Sequence, residues 1–390
     1  MFTIITYMYL VIQSYTLHID TLNHYHNRYD HDKTHSDNTN STNNDTDDAL
    51  WLQWKILHNK TYSTHQEYNE HRENWQLNLL HIKEHNIKHS KGLELYTTGL
   101  NQFSDLNWNH INKIYLTNLS KYSVRQGHDG KILLKQPLNE TENKQIPNSW
   151  DWRKVGIGEC GACWAFSAAG ALEGQLKNKT GYFIELSSQQ LIDCSHPFGN
   201  HGCLGGDMNN AFRYVESNGI QKEENYPYLK KEGKCLHTKS KAVTQSKLII
   251  DIKPNDEEEL KSRLYEHGPV SAGINVERQF MRYKNGIYQS SSCSAKDVNH
   301  AVLIVGYGHE DGIDYWIIKN SWGTTWGEDG YVRIRRNYNN MCGVATMAIP
   351  LHFVKWDIPQ FEVIVTLVLL KLTRFYHSVE FNKGIYSGSQ

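Results

Sequence analysis

The seven cysteines of this chain all lie at or beyond position 160, at 160, 163, 194, 203, 235, 293 and 342. An odd number of cysteines in an oxidising compartment predicts three disulfides and one unpaired thiol. Three cross-links of this kind tie distant parts of the chain to one another. The part of the chain that follows Cys160 is therefore the most tightly restricted in the folds it can adopt.

An oxidising compartment is also indicated by the first residues of the chain. The apolar run 2–12 has the length of a signal-peptide core and precedes polar sequence, although no basic residue and no small-x-small cleavage site accompany it. Six glycosylation sequons fit secretory routing, at Asn40, Asn44, Asn59, Asn118, Asn139 and Asn178. We therefore expect residues 1–16 to be a signal peptide.

Composition argues against nucleic-acid and membrane partners, and it identifies one polar segment that is not expected to fold. The formal net charge is −1, which gives no reason to expect nucleic acid or an acidic membrane surface as a partner. Residues 17–47 are rich in His, Asn, Asp and Thr and contain few core-forming side chains. Such a segment is either a solvated linker or a weak metal-binding tract, and we interpret it as a linker with no metal site.

Helical periodicity begins near Asp48 and continues to about Asn118. Two segments place apolar residues three or four positions apart for most of their length, as one face of a helix requires. The residues are Leu50, Trp54 and Leu57 in the first segment, and Trp75, Leu79, Ile82 and Ile87 in the second. The stretch 91–106 then predicts a short strand and a turn, and a polar connector follows over 120–145.

The remainder has the pattern of a globular domain with helices first and strands later. The segment 164–177 predicts a helix that is buried on more than one face, and "PNDEEELKSRLYEHG" predicts a helix capped by Asn255. Alternating segments predict strands over 269–276, 301–308, 314–320 and 330–336. A helix-rich half followed by a strand-rich half predicts an α+β fold with two lobes.

Three polar residues have the chemistry of a cysteine nucleophile and its partners. Cys163 lies at the start of the predicted helix, where unpaired N–H groups and the helix dipole favour a thiolate. His300, at the start of a strand, can form a thiolate–imidazolium pair with it. Asn320 follows another strand and can orient the imidazole, and Trp322 can shield that hydrogen bond from water.

These residues resemble the papain-like cysteine proteases, and within them the cathepsin L-like group. Cys160-Gly-Ala-Cys163-Trp matches the sequence around the family's nucleophile, and His300 lies 137 residues beyond Cys163. Asn320 begins the nearly complete motif Asn-Ser-Trp-Gly-x-x-Trp-Gly-Glu-x-Gly-Tyr. The resemblance implies a papain-like two-lobed fold and cysteine endopeptidase activity, with no cofactor and no metal.

The N-terminal half resembles the propeptides of the same group. Their interspersed helix motif is matched by Glu67, Trp75, Asn78, Ile82 and Asn86, while His71 stands at the usual arginine position. A second motif is matched by Gly99-x-Asn101-x-Phe103-x-Asp105. The resemblance therefore implies a zymogen whose own propeptide inhibits it, and we expect release at acid pH as protonated carboxylates weaken its ion pairs.

The resemblance also divides the chain and pairs its cysteines. We expect a signal peptide, a linker, an inhibitory propeptide, a peptidase domain and an atypical tail, over 1–16, 17–47, 48–145, 146–350 and 351–390. The implied disulfides are Cys160–Cys203, Cys194–Cys235 and Cys293–Cys342, which leaves Cys163 unpaired. Protein and peptide substrates, cystatin-like inhibitors, a monomeric state and a lysosomal or extracellular location are implied as well.

Substrate preference follows from positions that line the family's pocket for the P2 side chain. They correspond here to Met208, Gly273, Val298, Ala301 and Met347, all apolar or small, which predicts a hydrophobic P2 residue. Gly205 and Gly206 would present backbone groups to an extended peptide, and Trp322 lies at the same cleft. The short interval between Cys194 and Cys203 leaves no room for an occluding loop, which favours endopeptidase action.

The run before Cys160 departs from the family. "KVGIGEC" is about half the usual length, and Ile157 occupies the position of the glutamine that completes the oxyanion hole. Three explanations remain open: a slow protease, a catalytically dead relative that binds peptides or inhibits proteases, or a deduced sequence that omits a short stretch. The tail beyond Pro350 passes the family's usual end and has no predicted role.

Overall fold

The computed structural model describes residues 42–116, 119, 150–151, 161–244 and 252–351, and the chain divides into two units, 1–60 and 61–390. The first unit contains helix α1, Thr42–Leu57. Trp51 and Trp54 stack on this helix with their ring centroids 5.3 Å apart. Both indoles are buried, whereas Leu57 is 73% exposed, so the predicted apolar face is displaced by part of a turn.

The second unit begins with two helices and a short strand: α2 over His65–Ser90, β1 over Tyr96–Thr98 and α3 over Trp108–Tyr115. The start of α2 resembles a capping box in which the glutamate reaches the residue before the N-cap. The Thr64 side chain accepts from the Glu67 backbone N–H at 3.1 Å, and Glu67 accepts from the Ser63 N–H at 2.7 Å. Asn107 caps α3 by accepting from the His110 N–H.

The buried face of α2 corrects one prediction. Trp75, Leu79 and Ile82 are buried as expected, but Ile87 is 54% exposed. His85, three residues after Ile82, continues the helical face because a five-residue step to Ile87 turns away from it. A histidine therefore occupies an interior position that the apolar pattern had assigned to an isoleucine.

The peptidase part contains five helices among the described residues. They are α4 over Cys163–Thr180, α5 over Ser188–Cys194, α6 over Met208–Asn218, α7 over Glu257–His267 and α8 over Arg278–Met281. Every residue of α4 from Cys163 to Leu176 is buried, as predicted. The cap of α7 was predicted wrongly: Asp256 accepts from the Glu259 N–H, while Asn255 adopts a left-handed backbone with φ 67°.

The strands form one sheet within the described residues. They are β2 over Trp150–Asp151, β3 over Val270–Ile274, β4 over Tyr283–Tyr288, β5 over His300–Glu310, β6 over Ile313–Lys319, β7 over Tyr331–Arg335 and β8 over Met347–Ile349. Their order is β1-β4-β7-β6-β5-β3-β8, with β2 also paired to β5. Neighbours are antiparallel except β4 and β7.

Two hydrophobic clusters correspond to the two predicted lobes. One joins α4, α5 and α6 to the inner side of β5, and the other lies between the sheet and α7 and α8. The predicted α+β class with a helical lobe and a sheet lobe is confirmed. No helix among the described ranges is both long and apolar enough to cross a membrane.

Candidate active site

Cys163 is the first residue of α4, and its thiol is unpaired. Ala162 precedes the helix without a side-chain cap, so the first N–H groups of α4 point towards the thiol region. The Cys163 Sγ accepts a hydrogen bond from the Ala301 backbone N–H at 3.4 Å. The indole N–H of Trp164 donates to the Gly202 carbonyl at 3.2 Å and fixes the helix start against the neighbouring loop.

His300 and Asn320 are brought together by the pairing of β5 with β6. His300 begins β5, and Asn320 follows the last residue of β6, so the antiparallel pair places both at one end of the sheet. The His300 Nε2 and the Asn320 Oδ1 are 2.8 Å apart, and Oδ1 also accepts from the Ser321 N–H. Because an amide oxygen only accepts, Nε2 carries the proton and Nδ1 is left for the thiol.

The Trp322 indole covers this hydrogen bond. Its ring centroid lies 4.7 Å from that of His300, with 32° between the planes. Phe103 and Phe280 pack edge-on against Trp322, at 5.4 and 5.9 Å. Both His300 and Trp322 are buried, so water is kept from the His300–Asn320 bond.

The ionisation of the pair differs from the sequence prediction. Burial raises the pKa of Cys163 to about 11, against the opposing effect of hydrogen bonds from the backbone of Ala301, Trp164 and Cys163 itself. Burial lowers the pKa of His300 to about 4, although its bond to Asn320 favours the charged form. Burial thus favours the neutral thiol and the neutral imidazole, because desolvation outweighs the hydrogen bonds that favour the charged forms.

The cleft is covered by the end of the N-terminal segment, which we define as residues 61–119. A methyl group built on Gly161 would lie 2.7 Å from the Ile114 carbonyl oxygen. The Tyr115 backbone lies close enough to His300 to influence its pKa. The Leu119 N–H donates to the Val298 carbonyl at 3.1 Å, and its side chain is fully buried.

Leu119 lies at the predicted P2 pocket. Its side chain belongs to one buried cluster with four of the predicted pocket residues, Met208, Val298, Ala301 and Met347. Gly273, the fifth, faces the same side chain, since a methyl group there would lie 3.5 Å from Leu119 Cδ1. Sequence reasoning did not identify Leu119. The sequence offered one signal: Leu119 is an apolar residue that directly follows the end of the predicted helical region, at about Asn118, and precedes the polar connector.

The predicted substrate-binding glycines lie beside the nucleophile helix. Gly205 and Gly206 follow the short helix Gly202–Leu204. A side chain at Gly206 would approach the Trp164 ring to 2.7 Å, so only glycine fits there. Gly205 has φ 121°, in the region that favours glycine. Both residues present backbone at the edge of the site.

The disulfides of the described region follow the implied pattern. Cys194 bonds to Cys235, and Cys293 bonds to Cys342. Cys203 is disulfide-bonded as well. Its implied partner, Cys160, and the oxyanion position Ile157 lie outside the described residues, as do the predicted signal peptide, most of the linker and the tail after Leu351.

The N-terminal segment also docks as an added strand. β1 pairs antiparallel with β4, with Tyr96 opposite Gly286. The Tyr96 ring is buried against Tyr283 and Tyr288, and its hydroxyl donates to Gln279 at 2.9 Å. The side chain of Gln102 donates to the Trp322 carbonyl at 2.6 Å, which ties the segment directly to the active-site tryptophan.

The second propeptide motif is held inside the segment by a histidine. Asp105 is buried, and its Oδ2 lies 3.1 Å from His71 Nδ1 and accepts from the Tyr62 hydroxyl at 3.0 Å. The Tyr62 ring stacks on His71 at 4.7 Å. His71 thus contacts the aspartate from the position where the resemblance leads us to expect arginine.

Comparison with known proteins assigns the class. The pattern described as papain family cysteine protease matches residues 146–351, and that described as cathepsin propeptide inhibitor domain (I29) matches residues 51–109. The chain belongs to the papain family of cysteine proteases. It is a cathepsin L-like proenzyme, in which an inhibitory propeptide precedes a cysteine-type endopeptidase, and residues 61–119 include part of that propeptide.

Particular relatives agree with this assignment. A cathepsin L-like proteinase of Fasciola hepatica is 44% identical over 78% of this chain and 93% of its own length. Procathepsin L of Rattus norvegicus is 41% identical over 78% of this chain and 91% of its own. The structure of digestive procathepsin L2 from Tenebrio molitor larval midgut superposes with a TM-score of 0.72 at 34% identity, over 78% of this chain and 99% of the other.

Proposed function

We propose that Cys163 is the nucleophile of this endopeptidase, His300 its general acid and base, and Asn320 the residue that orients the imidazole. The observation that carries the proposal is the 2.8 Å bond between His300 Nε2 and Asn320 Oδ1, together with the hydrogen bond from the Ala301 N–H, next to His300, to the Cys163 thiol. The bond fixes the tautomer in which Nδ1 can exchange a proton with sulfur. The cover provided by Trp322 keeps that bond out of water.

The reaction follows from these roles. The Cys163 thiolate attacks the scissile carbonyl carbon, and the His300 imidazolium gives its proton to the leaving amine as the C–N bond breaks. Water then attacks the acyl-enzyme, with His300 taking its proton, and the thiolate leaves. The Cys163 backbone N–H is one donor to the oxyanion. The second donor expected in the family is replaced in this sequence by Ile157.

Burial of Cys163 and His300 supports a zymogen that is inhibited in two ways, by obstruction of the site and by loss of the charged pair. Leu119 and the Tyr115 backbone lie at the site, and the burial of the pair also favours the neutral thiol over the thiolate. Departure of the propeptide rehydrates both groups. The pKa of Cys163 then falls and that of His300 rises, so the ion pair forms only in the mature enzyme.

Substrate preference is proposed from the P2 pocket. The predicted pocket positions Met208, Gly273, Val298, Ala301 and Met347 are all apolar or small, and Leu119 lies in one buried cluster with four of them. Leucine, valine or phenylalanine at P2 fits such a pocket, whereas arginine would lose its hydration without gaining a carboxylate partner. We propose endopeptidase action in the secretory pathway, at a lysosomal or extracellular site, with a monomeric enzyme open to cystatin-like inhibitors.

Covalent labelling tests the proposed nucleophile. After incubation near pH 5, we expect the protein to be processed and to react with a peptidyl epoxide or vinyl sulfone that has leucine at P2. Cys163→Ala should abolish labelling, because only an activated thiolate attacks these reagents. Mass spectrometry of the labelled peptide locates the adduct, and hydrolysis of a leucine-P2 peptide measures turnover. A processed protein that binds peptide but neither reacts nor turns over would instead favour the peptide-binding or inhibitor role that Ile157 suggests.

Acid release is expected to depend on His85. Its Nε2–H donates to the Tyr96 carbonyl at 3.0 Å and its ring lies 4.4 Å from the tyrosine ring, so it supports the docking strand β1. Burial lowers its pKa below the ordinary value of 6.5, aided by Lys88 and His89 and opposed by the Tyr96 carbonyl and Glu94. A lowered histidine pKa gives stability that is complete above about pH 6.5 and is lost as the pH falls.

The matching experiment measures the rate of processing between pH 4 and pH 7. His85→Gln keeps a donor for Tyr96 but does not titrate, so its processing midpoint should move to lower pH, with severalfold slower conversion near pH 5. His65→Gln, at an exposed position on the same helix, should process like the unchanged protein. An unchanged pH profile for His85→Gln would assign acid release to the carboxylates of the proenzyme and not to His85.

A further inference from the structure

A small cavity with both polar and apolar walls lies where the propeptide meets the peptidase domain, away from Cys163. Its volume is about 140 Å³, and its walls come from α2, the start of α3 and the region of α8. The peptidase side contributes Arg278 and Arg282, and α2 contributes Asn74, Asn78 and His81. None of the lining residues is acidic. The cavity is several times larger than the roughly 30 Å³ that one water occupies in the liquid.

Arg282 and the exposed Arg278 give the cavity a positive charge that no residue lining it balances. Arg282 is half-buried, and its Nε donates to the neutral side-chain oxygen of Asn78 at 2.8 Å. Both its burial and the nearby Arg278 lower the pKa of Arg282, as expected where no carboxylate balances two cations. Guanidinium groups carry forked N–H donors whose geometry matches carboxylate and phosphate oxygens.

The start of α3 adds to the positive electrostatic potential in the cavity. Asn107 and Trp108 line the cavity, and they form the cap and first residue of that eight-residue helix. The N-terminal end of a helix bears partial positive charge and stabilises anions near its first turn. Two arginines and a helix start therefore line one space that is large enough for a polyatomic ion.

We propose that this cavity binds one small tetrahedral oxyanion, of the class of inorganic phosphate or sulfate. The ion would accept hydrogen bonds from Arg278 and Arg282 on the peptidase side and from side-chain amides such as that of Asn74 on the propeptide side. Because both sides contribute, the site exists only in the proenzyme. An anion bound there holds the propeptide in place and slows its release. The proposal rests on the propeptide assignment but not on the catalytic roles of Cys163 and His300.

The test uses the full-length Cys163→Ala proenzyme, which cannot process itself. Thermal unfolding is followed near pH 7 while inorganic phosphate replaces sodium chloride at constant ionic strength. Phosphate should raise the unfolding temperature with saturation, since a ligand that binds only the folded state stabilises it by mass action. Inorganic sulfate should have the same effect. A sulfated polysaccharide is too large to enter the cavity and should not stabilise the proenzyme in this way, which distinguishes a free ion from a sulfate group carried on a polymer.

Variants locate the ion. Arg282→Gln and Arg278→Gln should each weaken phosphate binding at least tenfold, whereas Arg213→Gln, outside the cavity, should leave it unchanged. Arg282→Lys keeps the charge without the fork and should bind with intermediate affinity, which separates loss of the site from misfolding. The proposal is overturned if phosphate acts no differently from chloride, if the cavity variants respond like Arg213→Gln, or if only the polysaccharide stabilises. Phosphate binding by the isolated mature domain would also overturn it.

Discussion

Replacing Leu119 with aspartate should make the intact proenzyme react with a peptidyl vinyl sulfone about 10²–10³-fold faster than the unchanged proenzyme. The Leu119 side chain is fully buried among Met208, Val298, Ala301 and Met347. A carboxylate there would be unpaired, and an uncompensated buried charge costs about 3–5 kcal/mol. The blocking segment would leave the cleft more often, and Cys163 would become accessible and ionised.

The measurement is the second-order rate of labelling at pH 7, before processing begins. Leu93→Asp is the matched control, because Leu93 belongs to the same segment but is 71% exposed. It should label at the rate of the unchanged proenzyme. Equal rates for the Leu119 and Leu93 variants would mean that the pocket does not anchor the propeptide. Intact protein mass at each time point shows that no cleavage contributes.

Introducing the missing oxyanion donor should have an effect of similar size. If Ile157 faces the oxyanion, Ile157→Gln should raise kcat by about 10²–10³, the usual value of one such donor. The KM for a leucine-P2 substrate should change little, because the bond forms only in the transition state. Ile157→Leu is the control and should leave kcat unchanged.

The comparison separates the three explanations of the short run before Cys160. If the protein is a slow protease, Ile157→Gln raises its activity. If it is a dead relative, it is inactive with either isoleucine or glutamine at position 157. A sequence that omits a stretch is detected by mass spectrometry of the peptide from Arg153 to Cys160 in the natural protein. An Ile157→Gln variant that turns over no faster than the parent would contradict the assignment of residue 157 to the oxyanion.

Much of the fold followed from the sequence because its strongest signals are local. Strands β3, β5, β6 and β7 lie within two residues of their predicted limits, since buried strands alternate with clear turn residues. The cluster of His300, Asn320 and Trp322 was predictable for a different reason. His300 begins one strand, and Asn320 and Trp322 follow another. Because the two strands pair antiparallel, the start of one lies beside the end of the other.

Other features needed the tertiary structure. The raised pKa of Cys163 could not be predicted, because the helix start favours a thiolate and only the tertiary structure shows that the thiol is buried. His85 was missed because an apolar pattern does not identify a histidine whose ring packs on Tyr96 and whose N–H reaches a carbonyl. The Asn255 cap was predicted one residue early, since Asn and Asp are both strong caps and only the backbone conformation distinguishes them.

The burial of Tyr96 has a consequence for the lifetime of the active enzyme. This propeptide side chain is part of the peptidase core beside Tyr283 and Tyr288, so activation removes a core residue from the folded protein. Deleting a large buried aromatic side chain typically lowers the free energy of unfolding by about 3–5 kcal/mol. The chain therefore folds with a tyrosine that its mature form lacks. We therefore expect the mature enzyme to be less stable than its proenzyme, and irreversible unfolding to limit its working life sooner.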